Sequence, residues 1–411
     1  MRKVNTRNYR LATRSTPREV NRQIVLNLIR EHQPISRAEL SRRMNVRRAA
    51  LTGIVRDLIA SGAVTESLAA TAVRGRRPKL LSVPTSGRLV VAIDLRPGKT
   101  SLAVADFGGR IISRAAIDTP STPEALIDLL SVDVPALLAA AGVGDDTVCH
   151  GVGLVVPGMV DRRSGRVLYA PRLGWRNTDL RQLLEARLGL PVHIESASIA
   201  CALARLWSFS GETRAVNNFA YVSISDGVGV GIVSRGEVLR GEDHTAGEIG
   251  HVSLDPNGPR CACGKRGCWE AFACDSATIG RYVRQASGAT WSDAKRVRST
   301  PPNITIEEII RRAHDGDATA IETLEQTGRE IGRGLAAVVS AFNPKRIYVG
   351  GEVTAAWSLL EGPMRESLVE GTLTEAAKNT AVFPDTEPAE YRLLGAVTLV
   401  ASPSFALPRV G

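Results

Sequence analysis

The sequence predicts a small helical domain at the front of the chain, followed by a larger α/β body. Three observations predict this division. Apolar residues recur at helical spacing in three short segments before residue 62, and strand-like apolar runs then alternate with helical ones. The charge also changes, because residues 1–86 contain 18 Lys and Arg against 5 Asp and Glu, whereas the rest of the 411 residues contains 34 against 37. We therefore expect two units, residues 1–86 and residues 87–411.

The first two helices of the front unit are predicted from apolar spacing and from one capping signal. The buried face of the first helix, within residues 18–31, would consist of Val20, Ile24, Val25, Leu28 and Ile29. A second helix should begin after Ser36, because Ser36 and Glu39 have the S-x-x-E spacing of a capping box. It should run to Met44 and break at Asn45 and Val46.

A third helix should begin near Arg47 and stop at Ser61-Gly62, with cationic and hydroxyl side chains on its exposed side. Two strands, about residues 63–66 and 79–83, would then enclose an arginine-rich wing. A pair of short helices joined by a tight turn, with a basic second helix, is typical of a winged helix-turn-helix domain that binds the DNA major groove. The predicted DNA contacts are Arg37, Arg47, Arg48, Thr52, Arg56, Arg74, Arg76 and Arg77. A protein-interaction domain with a solvated basic face is the alternative.

The body shows the strand and helix alternation of an α/β fold. The predicted strands are residues 89–94, 101–106, 151–156, 220–224 and 346–349, and the predicted helices are residues 123–141, about 178–188 and about 319–342. A polar, proline-containing loop is expected at about residues 287–303. We expect two related lobes with a cleft between them.

A possible metal site lies between residues 242 and 270. His251, Cys261, Cys263 and Cys268 supply four nitrogen and sulfur ligands at a spacing that suits one tetrahedral ion, so we predict structural Zn²⁺. The alternatives are unligated buried thiols or a disulfide, although a bridge between Cys261 and Cys263 would close a very small, strained loop. The remaining cysteines, Cys149, Cys201 and Cys274, are predicted to be buried thiols.

The composition is that of a globular protein, with 44% hydrophobic and 23% charged residues. The N-terminal residues lack an apolar secretory core, and no apolar run is long enough to span a bilayer. We therefore expect a cytoplasmic protein without membrane insertion.

Several stretches of the body resemble the ROK family of sugar kinases and sugar-responsive repressors. They are VVAIDLRPGKTSLAVADFGG, GVGLVVPGMVD, APRLGWRN, SDGVGVGIV, GEIGH with C-x-C-G-x-x-G-C-W-E, and NPKRIYVGGE. The resemblance covers nearly the whole chain. It implies an actin-like, ribonuclease-H-like ATPase fold with a sugar site between two lobes, the first at about residues 87–200 and 388–411 and the second at about 201–387. It also implies a homo-oligomer, either a dimer or a tetramer.

The residues that the family's kinases use for phosphoryl transfer are altered here. Ala197 falls on the position of the catalytic Asp, and the loss of a general base typically costs about 10²–10⁴-fold in rate. Arg96 and Pro97 replace two glycines of the first phosphate loop, and proline lacks the N–H that such a loop offers. A second glycine run, residues 226–231, is retained. We therefore predict no kinase activity.

The resemblance implies that Glu248, His251 and Glu270 bind sugar hydroxyls, with one His251 nitrogen on zinc and the other toward the ligand. Glu248 and Glu270 could instead only support the zinc loop. Ser196 and Arg172 replace two further sugar-binding residues. The Arg172 guanidinium suggests a sugar phosphate or sugar acid as the effector, unless Arg172 pairs with Glu195.

Together these features predict a repressor of carbohydrate uptake or catabolism genes that binds a pseudo-palindromic double-stranded operator and responds to a sugar or sugar phosphate. The alternatives are a bifunctional sugar kinase and a repressor controlled by a protein partner. The sequence identifies neither the sugar nor the operator.

Overall fold

The computed structural model describes residues 18–68, 77–85, 87–142, 147–207, 216–242, 245–287, 304–385 and 387–402. The front unit contains α1 (Arg18–His32), β1 (Ile35–Ser36), α2 (Arg37–Met44), α3 (Arg48–Ala60), β2 (Thr65–Leu68) and β3 (Lys79–Ser82). The three strands form one sheet in the order β1-β3-β2, with antiparallel neighbours. This is the winged helix-turn-helix arrangement that the sequence predicted.

Local chemistry fixes the ends of the front helices. The Ser36 hydroxyl accepts a hydrogen bond from the Glu39 N–H at 3.1 Å and so caps α2. Asn45 ends α2 in the left-handed region at φ 52°, which asparagine tolerates better than most residues. Arg47 precedes α3 without a capping bond from its side chain. The buried faces of the three helices then meet in one apolar core, which contains Val25, Leu28, Leu40, Leu51, Val55 and Leu58.

The body contains two five-stranded sheets of identical topology. The first is built from β4 (Arg88–Asp94), β5 (Lys99–Asp106), β6 (Ile111–Asp118), β7 (Val148–Val156) and β11 (Val192–Ser196). The second is built from β12 (Phe219–Ile224), β13 (Val228–Ser234), β14 (Glu237–Val238), β15 (Arg346–Gly350) and β16 (Ala381–Pro384). In each sheet the third, second and first strands lie side by side in that order and are followed by the fourth and the fifth. The repeated order confirms the two related lobes.

Helices and one small sheet complete the lobes. The first lobe adds α4 (Pro123–Ala140), α5 (Leu180–Leu188) and a three-stranded sheet of β8 (Met159–Asp161), β9 (Arg166–Ala170) and β10 (Trp175–Thr178). The helix α6 (Ala197–Trp207) leads out of the first lobe. The second lobe adds α7 (Glu270–Ala273), α8 (Asp275–Ser287), α9 (Ile306–His314), α10 (Ala318–Phe342), α11 (Trp357–Glu370) and α12 (Glu375–Lys378).

The last helix, α13 (Pro388–Ala401), returns to the first lobe and packs on α6, β4 and β7. Glycine makes the approach possible, because a Cβ on Gly395 would lie 2.7 Å from the backbone of Ala200 in α6. The predicted loop at 287–303 falls, apart from Ser287, outside the described residues. No helix in the described part of the chain combines the length and the apolar character that crossing a membrane requires.

Candidate functional site

A cavity of about 100 Å³ lies in the cleft between the two lobes. Its walls come from both lobes, because the first supplies the ends of β7 and β11 and the second supplies the turn between β12 and β13. The lining polar and charged side chains are Tyr169, Arg172, Ser196, Ser198, Ser223, Ser225, Asp226, Glu248, His251, Glu270 and Arg392. A concave site with a few convergent polar groups is suited to a small polar molecule.

His251, Cys261, Cys263 and Cys268 converge beside this cavity, with their ligand atoms all within 4.8 Å of one another. The Cys263 and Cys268 sulfurs are 3.7 Å apart, and the Cys261 sulfur lies 3.6 Å from His251 Nδ1. Zinc bonds of about 2.3 Å to sulfur and 2.0 Å to nitrogen give tetrahedral edges of about 3.5–3.8 Å. The four residues therefore fit one tetrahedral cation, and none of the six cysteines is in a disulfide.

His251 joins this cluster to the cavity. Its Nδ1 faces Cys261, whereas its Nε2 lies 3.9 Å from the Glu248 carboxylate on the cavity wall. Burial, together with the neighbouring Glu270 carboxylate, raises the pKa of Glu248 to about 7. Near neutral pH the Glu248 side chain can therefore either donate or accept a hydrogen bond, which suits a ligand hydroxyl.

Glu270 connects the same cluster to the second glycine run. One of its oxygens lies 3.3 Å from the Cys261 sulfur, and the other accepts a hydrogen bond from the Val228 N–H at 3.1 Å. A Cβ on Gly227 would lie 2.7 Å from this second oxygen, so the turn needs glycine there. Glu270 thus holds the turn through Val228, and its other oxygen lies between the cluster and the cavity that it lines.

Arg172 and Glu195 do not form the ion pair that the sequence left open. Arg172 crosses the cleft to the second lobe, where its Nη2 donates to the Ser276 hydroxyl at 2.9 Å and lies 3.5 Å from the Cys274 sulfur. Glu195 pairs instead with Arg240 of the second lobe, and both side chains are almost completely buried. The Arg240 partner was not evident beforehand, because Arg240 is 45 residues from Glu195 in sequence and its approach depends on how the lobes meet.

Arg96 occupies the turn that corresponds to the first phosphate loop. It reaches across the cleft and pairs with Glu352 and, at 3.3 Å, with Asp226, and it donates to the Ser225 hydroxyl at 2.7 Å. Burial alone would lower the pKa of Arg96, but the carboxylates of Glu352 and Asp226 outweigh burial and raise it. These partners are 129 to 256 residues away in sequence, so no local pattern indicated them.

Most of the predicted DNA contacts that the structure describes are exposed. Arg48, Thr52 and Arg56 form an exposed stripe along α3, and Arg47 is exposed just before it. Arg37 is half-buried and pairs with Glu66 at 3.0 Å, so it is less available than expected. Arg77 is exposed, whereas Arg74 and Arg76 lie outside the described residues. Arg42, which was not among the predicted contacts, is also exposed on α2, and its basic character is the only signal in the sequence that points to it.

Comparison with known proteins gives the same two-part division. A sequence model of the ROK family matches residues 90–402, and a model of the MarR family matches residues 23–67. The xylose repressor of Caldicellulosiruptor bescii is 28% identical over 396 residues, which cover 95% of this chain and 98% of that protein.

Two solved structures show the same fold. The crystal structure of a ROK family transcriptional regulator, a homologue of the Escherichia coli MLC protein, superposes with a TM-score of 0.76 and 28% identity, covering 94% of this chain and 98% of that chain. A ROK family glucokinase from Streptomyces griseus, in complex with glucose and AMPPNP, gives a TM-score of 0.65 and 30% identity, covering 75% of this chain and 98% of that chain.

The regulators thus match the chain over almost its full length, whereas the kinase matches only about three quarters of it. The body has the actin-like α/β fold of these proteins, and the front unit is a MarR-type winged helix-turn-helix domain. The chain therefore belongs to the ROK family.

Proposed function

We propose that this protein is a transcriptional repressor that binds operator DNA through residues 1–86 and a sugar through the cleft of residues 87–411. The observation that carries the proposal is the combination of an exposed cationic stripe on α3 with a polar interlobe cavity in one chain. The xylose repressor and the ROK family transcriptional regulator match this chain over almost its full length. Arg47, Arg48, Thr52, Arg56 and Arg77 are the proposed DNA contacts.

The cavity favours a neutral sugar over a sugar phosphate. Three acidic side chains line it, of which Asp226 is paired with Arg96, and of the two lining arginines Arg392 is paired with Asp94 at 2.7 Å. Arg172 has one guanidinium nitrogen committed to Ser276. Glu248, His251 and Ser196 would contact the hydroxyls, because donors and acceptors held in a partly buried wall discriminate strongly against ligands that leave them unpaired.

The cluster of His251, Cys261, Cys263 and Cys268 would hold zinc with a structural function. The ion would keep the three thiols deprotonated and fix the orientation of His251, so that its Nε2 faces the ligand. No chemical step on the sugar is assigned to it.

We also propose that the body does not transfer phosphoryl groups. Ala197 lies in the cavity lining where a general base would be needed, and it has no group that accepts a proton. Arg96 fills the turn that would have to accept nucleotide phosphates and pairs there with carboxylates. A mixture of purified protein, ATP, Mg²⁺ and hexoses should therefore produce no ADP above background, and hexose-dependent ADP formation would instead establish the kinase alternative.

The test of the main proposal uses the full chain. A duplex is first selected from a random pool by the protein, and its affinity is then measured by fluorescence anisotropy with D-xylose, D-glucose, N-acetyl-D-glucosamine and D-xylose 5-phosphate. We expect a pseudo-palindromic duplex, bound by a homo-oligomer, and a change in affinity with one neutral sugar. A response to the phosphate ester alone would overturn the neutral-sugar assignment. Tight DNA binding without a response to any sugar would favour control by a protein partner.

A further inference from the structure

The front unit and the body share one continuous apolar core. It joins residues of α1, such as Val25 and Leu28, to residues of the first lobe, such as Val90 and Val397. Within it, the Arg30 guanidinium of α1 lies 3.9 Å above the ring of Trp207, the last residue of α6. Arg30 and Trp207 are each only 4% exposed. The attraction between a guanidinium and an indole ring is strongest when both are shielded from water. This contact therefore fixes α1 relative to α6.

The opposite end of α6 forms part of the ligand cavity. Ser196, Ala197 and Ser198, at the junction of β11 and α6, all line it. The first turn of α6 also touches the second lobe, because a Cβ on Gly231 of β13 would lie only 2.2 Å from the Ser198 carbonyl oxygen. A ligand that changes how the lobes meet therefore acts on this turn directly.

The helix between these two ends is suited to move as a rigid body. Its 11 residues, ASIACALARLW, include four alanines and no glycine or proline. At about 1.5 Å per residue such a helix is about 16 Å long. It is buried along almost its whole length, with β13 on one side and α13 on another. Since packed interiors deform little, a displacement at the first turn is passed to Trp207.

We propose that α6 transmits the state of the ligand cavity to the DNA-binding unit, through the stacking of Trp207 on Arg30. This inference rests on the proposed function, to which it adds a route. Closure of β13 against Ser198 moves α6, the Trp207 ring moves Arg30, and α1 moves the recognition helix α3, on which it packs. Ligand and operator are coupled because each prefers one position of α6.

The experiment compares R30M, W207L and W207F with the wild-type chain. R30M removes the charge and W207L removes the ring, whereas W207F keeps an aromatic face for Arg30. R346M is the matched control, because Arg346 stacks on Phe383 in the second lobe, away from this route. For each protein the selected duplex is titrated with and without the saturating sugar that releases the wild type. The affinity for that sugar is measured by calorimetry.

We expect R30M and W207L to bind the sugar and, without it, the duplex with nearly wild-type affinity. The sugar should then change their affinity for the duplex by no more than about twofold, whereas couplings between sites are typically about 5–150-fold. W207F and R346M should keep most of the wild-type coupling. If W207L does not fold, R30M and W207F decide the question.

The outcomes separate this relay from the function on which it rests. Wild-type release by a sugar, with unchanged coupling in both R30M and W207L, would overturn the relay alone. A wild-type chain that binds the duplex but responds to no sugar would overturn the sugar-responsive function and the relay together.

Discussion

At the scale of single residues, Arg96 links the two lobes by ion pairs, from the turn that corresponds to a phosphate loop in the family's kinases. Its guanidinium pairs with Glu352 and Asp226 and donates to Ser225. Its side chain is only 24% exposed, so the carboxylates it pairs with are partly shielded from water. Removing such a cation leaves the carboxylates close together without a compensating charge. The loss of stability is then larger than when an exposed ion pair is removed.

The substitution R96A should therefore lower the free energy of unfolding by about 1–3 kcal/mol, measured by urea denaturation at neutral pH. R166A is the matched control, because Arg166 and Asp179 form a pair in which both side chains are 44% exposed. Exposed pairs contribute about 0–1 kcal/mol. Equal losses in the two variants would contradict a special contribution from Arg96.

The stabilisation by Arg96 should also depend on pH. Burial alone would raise the pKa of Glu352, but its pairing with Arg96 outweighs burial and keeps the pKa below the ordinary value. A carboxyl group with a depressed pKa stabilises the fold above its unfolded pKa of about 4.3 and loses that contribution as the pH falls through the folded value. The difference in stability between wild type and R96A should shrink below about pH 4.3, and a constant difference down to pH 3 would refute the pairing.

The zinc assignment is also tested at single residues. The purified chain should contain one zinc per chain by mass spectrometry of the metal, and C263S should lose most of it, because a structural site needs all four ligands. C149S is the control, since Cys149 lies outside the cluster of His251, Cys261, Cys263 and Cys268. Removal of the ion by a chelator should lower Tm in the wild type. A chain that folds equally well without metal would contradict a structural function.

At the scale of secondary-structure elements, α3 is the proposed recognition helix. Arg48, Thr52 and Arg56 recur every four residues along its exposed side. R48A should weaken binding to the selected duplex by about 1–3 kcal/mol if Arg48 contacts a base, with a loss of preference at one position. R163A is the matched control, because it removes the same charge from an exposed site on the first lobe. An equal effect of R163A would show that only net charge matters.

The same elements show what the sequence could and could not predict. The helices α1, α2 and α3 and the long helix α10 were predicted to within a few residues, because each carries a regular apolar face and a capping or breaking residue. The small sheet of β8, β9 and β10 was not predicted, since strands of three to five residues such as WRNT lack a clear alternation. Their partners are chosen by tertiary contacts, which local propensity does not encode.

The candidate site likewise contains one part that the sequence predicts and one part that it does not. The ligand cluster could be predicted because its three cysteines are close in sequence and their chemistry is specific. The contacts across the cleft could not, because Arg96, Arg172 and Arg240 each meet partners on the other lobe. A long-range pair of this kind has no local signal. Its existence depends on the relative position of two separately folded sheets.

At the scale of the whole molecule, the distribution of charge separates the two proposed binding reactions. Residues 1–86 carry an excess of 13 positive charges, whereas the rest of the chain has three more acidic than basic residues. DNA binding by the front unit releases counterions from the phosphates. The favourable free energy of this release decreases as salt is added. A neutral sugar in the cleft displaces no such ions.

Affinity for the selected duplex should therefore fall by about 10³–10⁵-fold between 50 and 200 mM salt if six to ten phosphates are contacted. Affinity for the sugar, measured by calorimetry over the same range, should stay nearly constant. The control is R77A, which should reduce the salt dependence of DNA binding if the exposed Arg77 of the wing contacts a phosphate, and which should leave sugar affinity unchanged. A sugar affinity that weakens steeply with salt would show that the effector is an anion, because only a charged ligand is screened in this way.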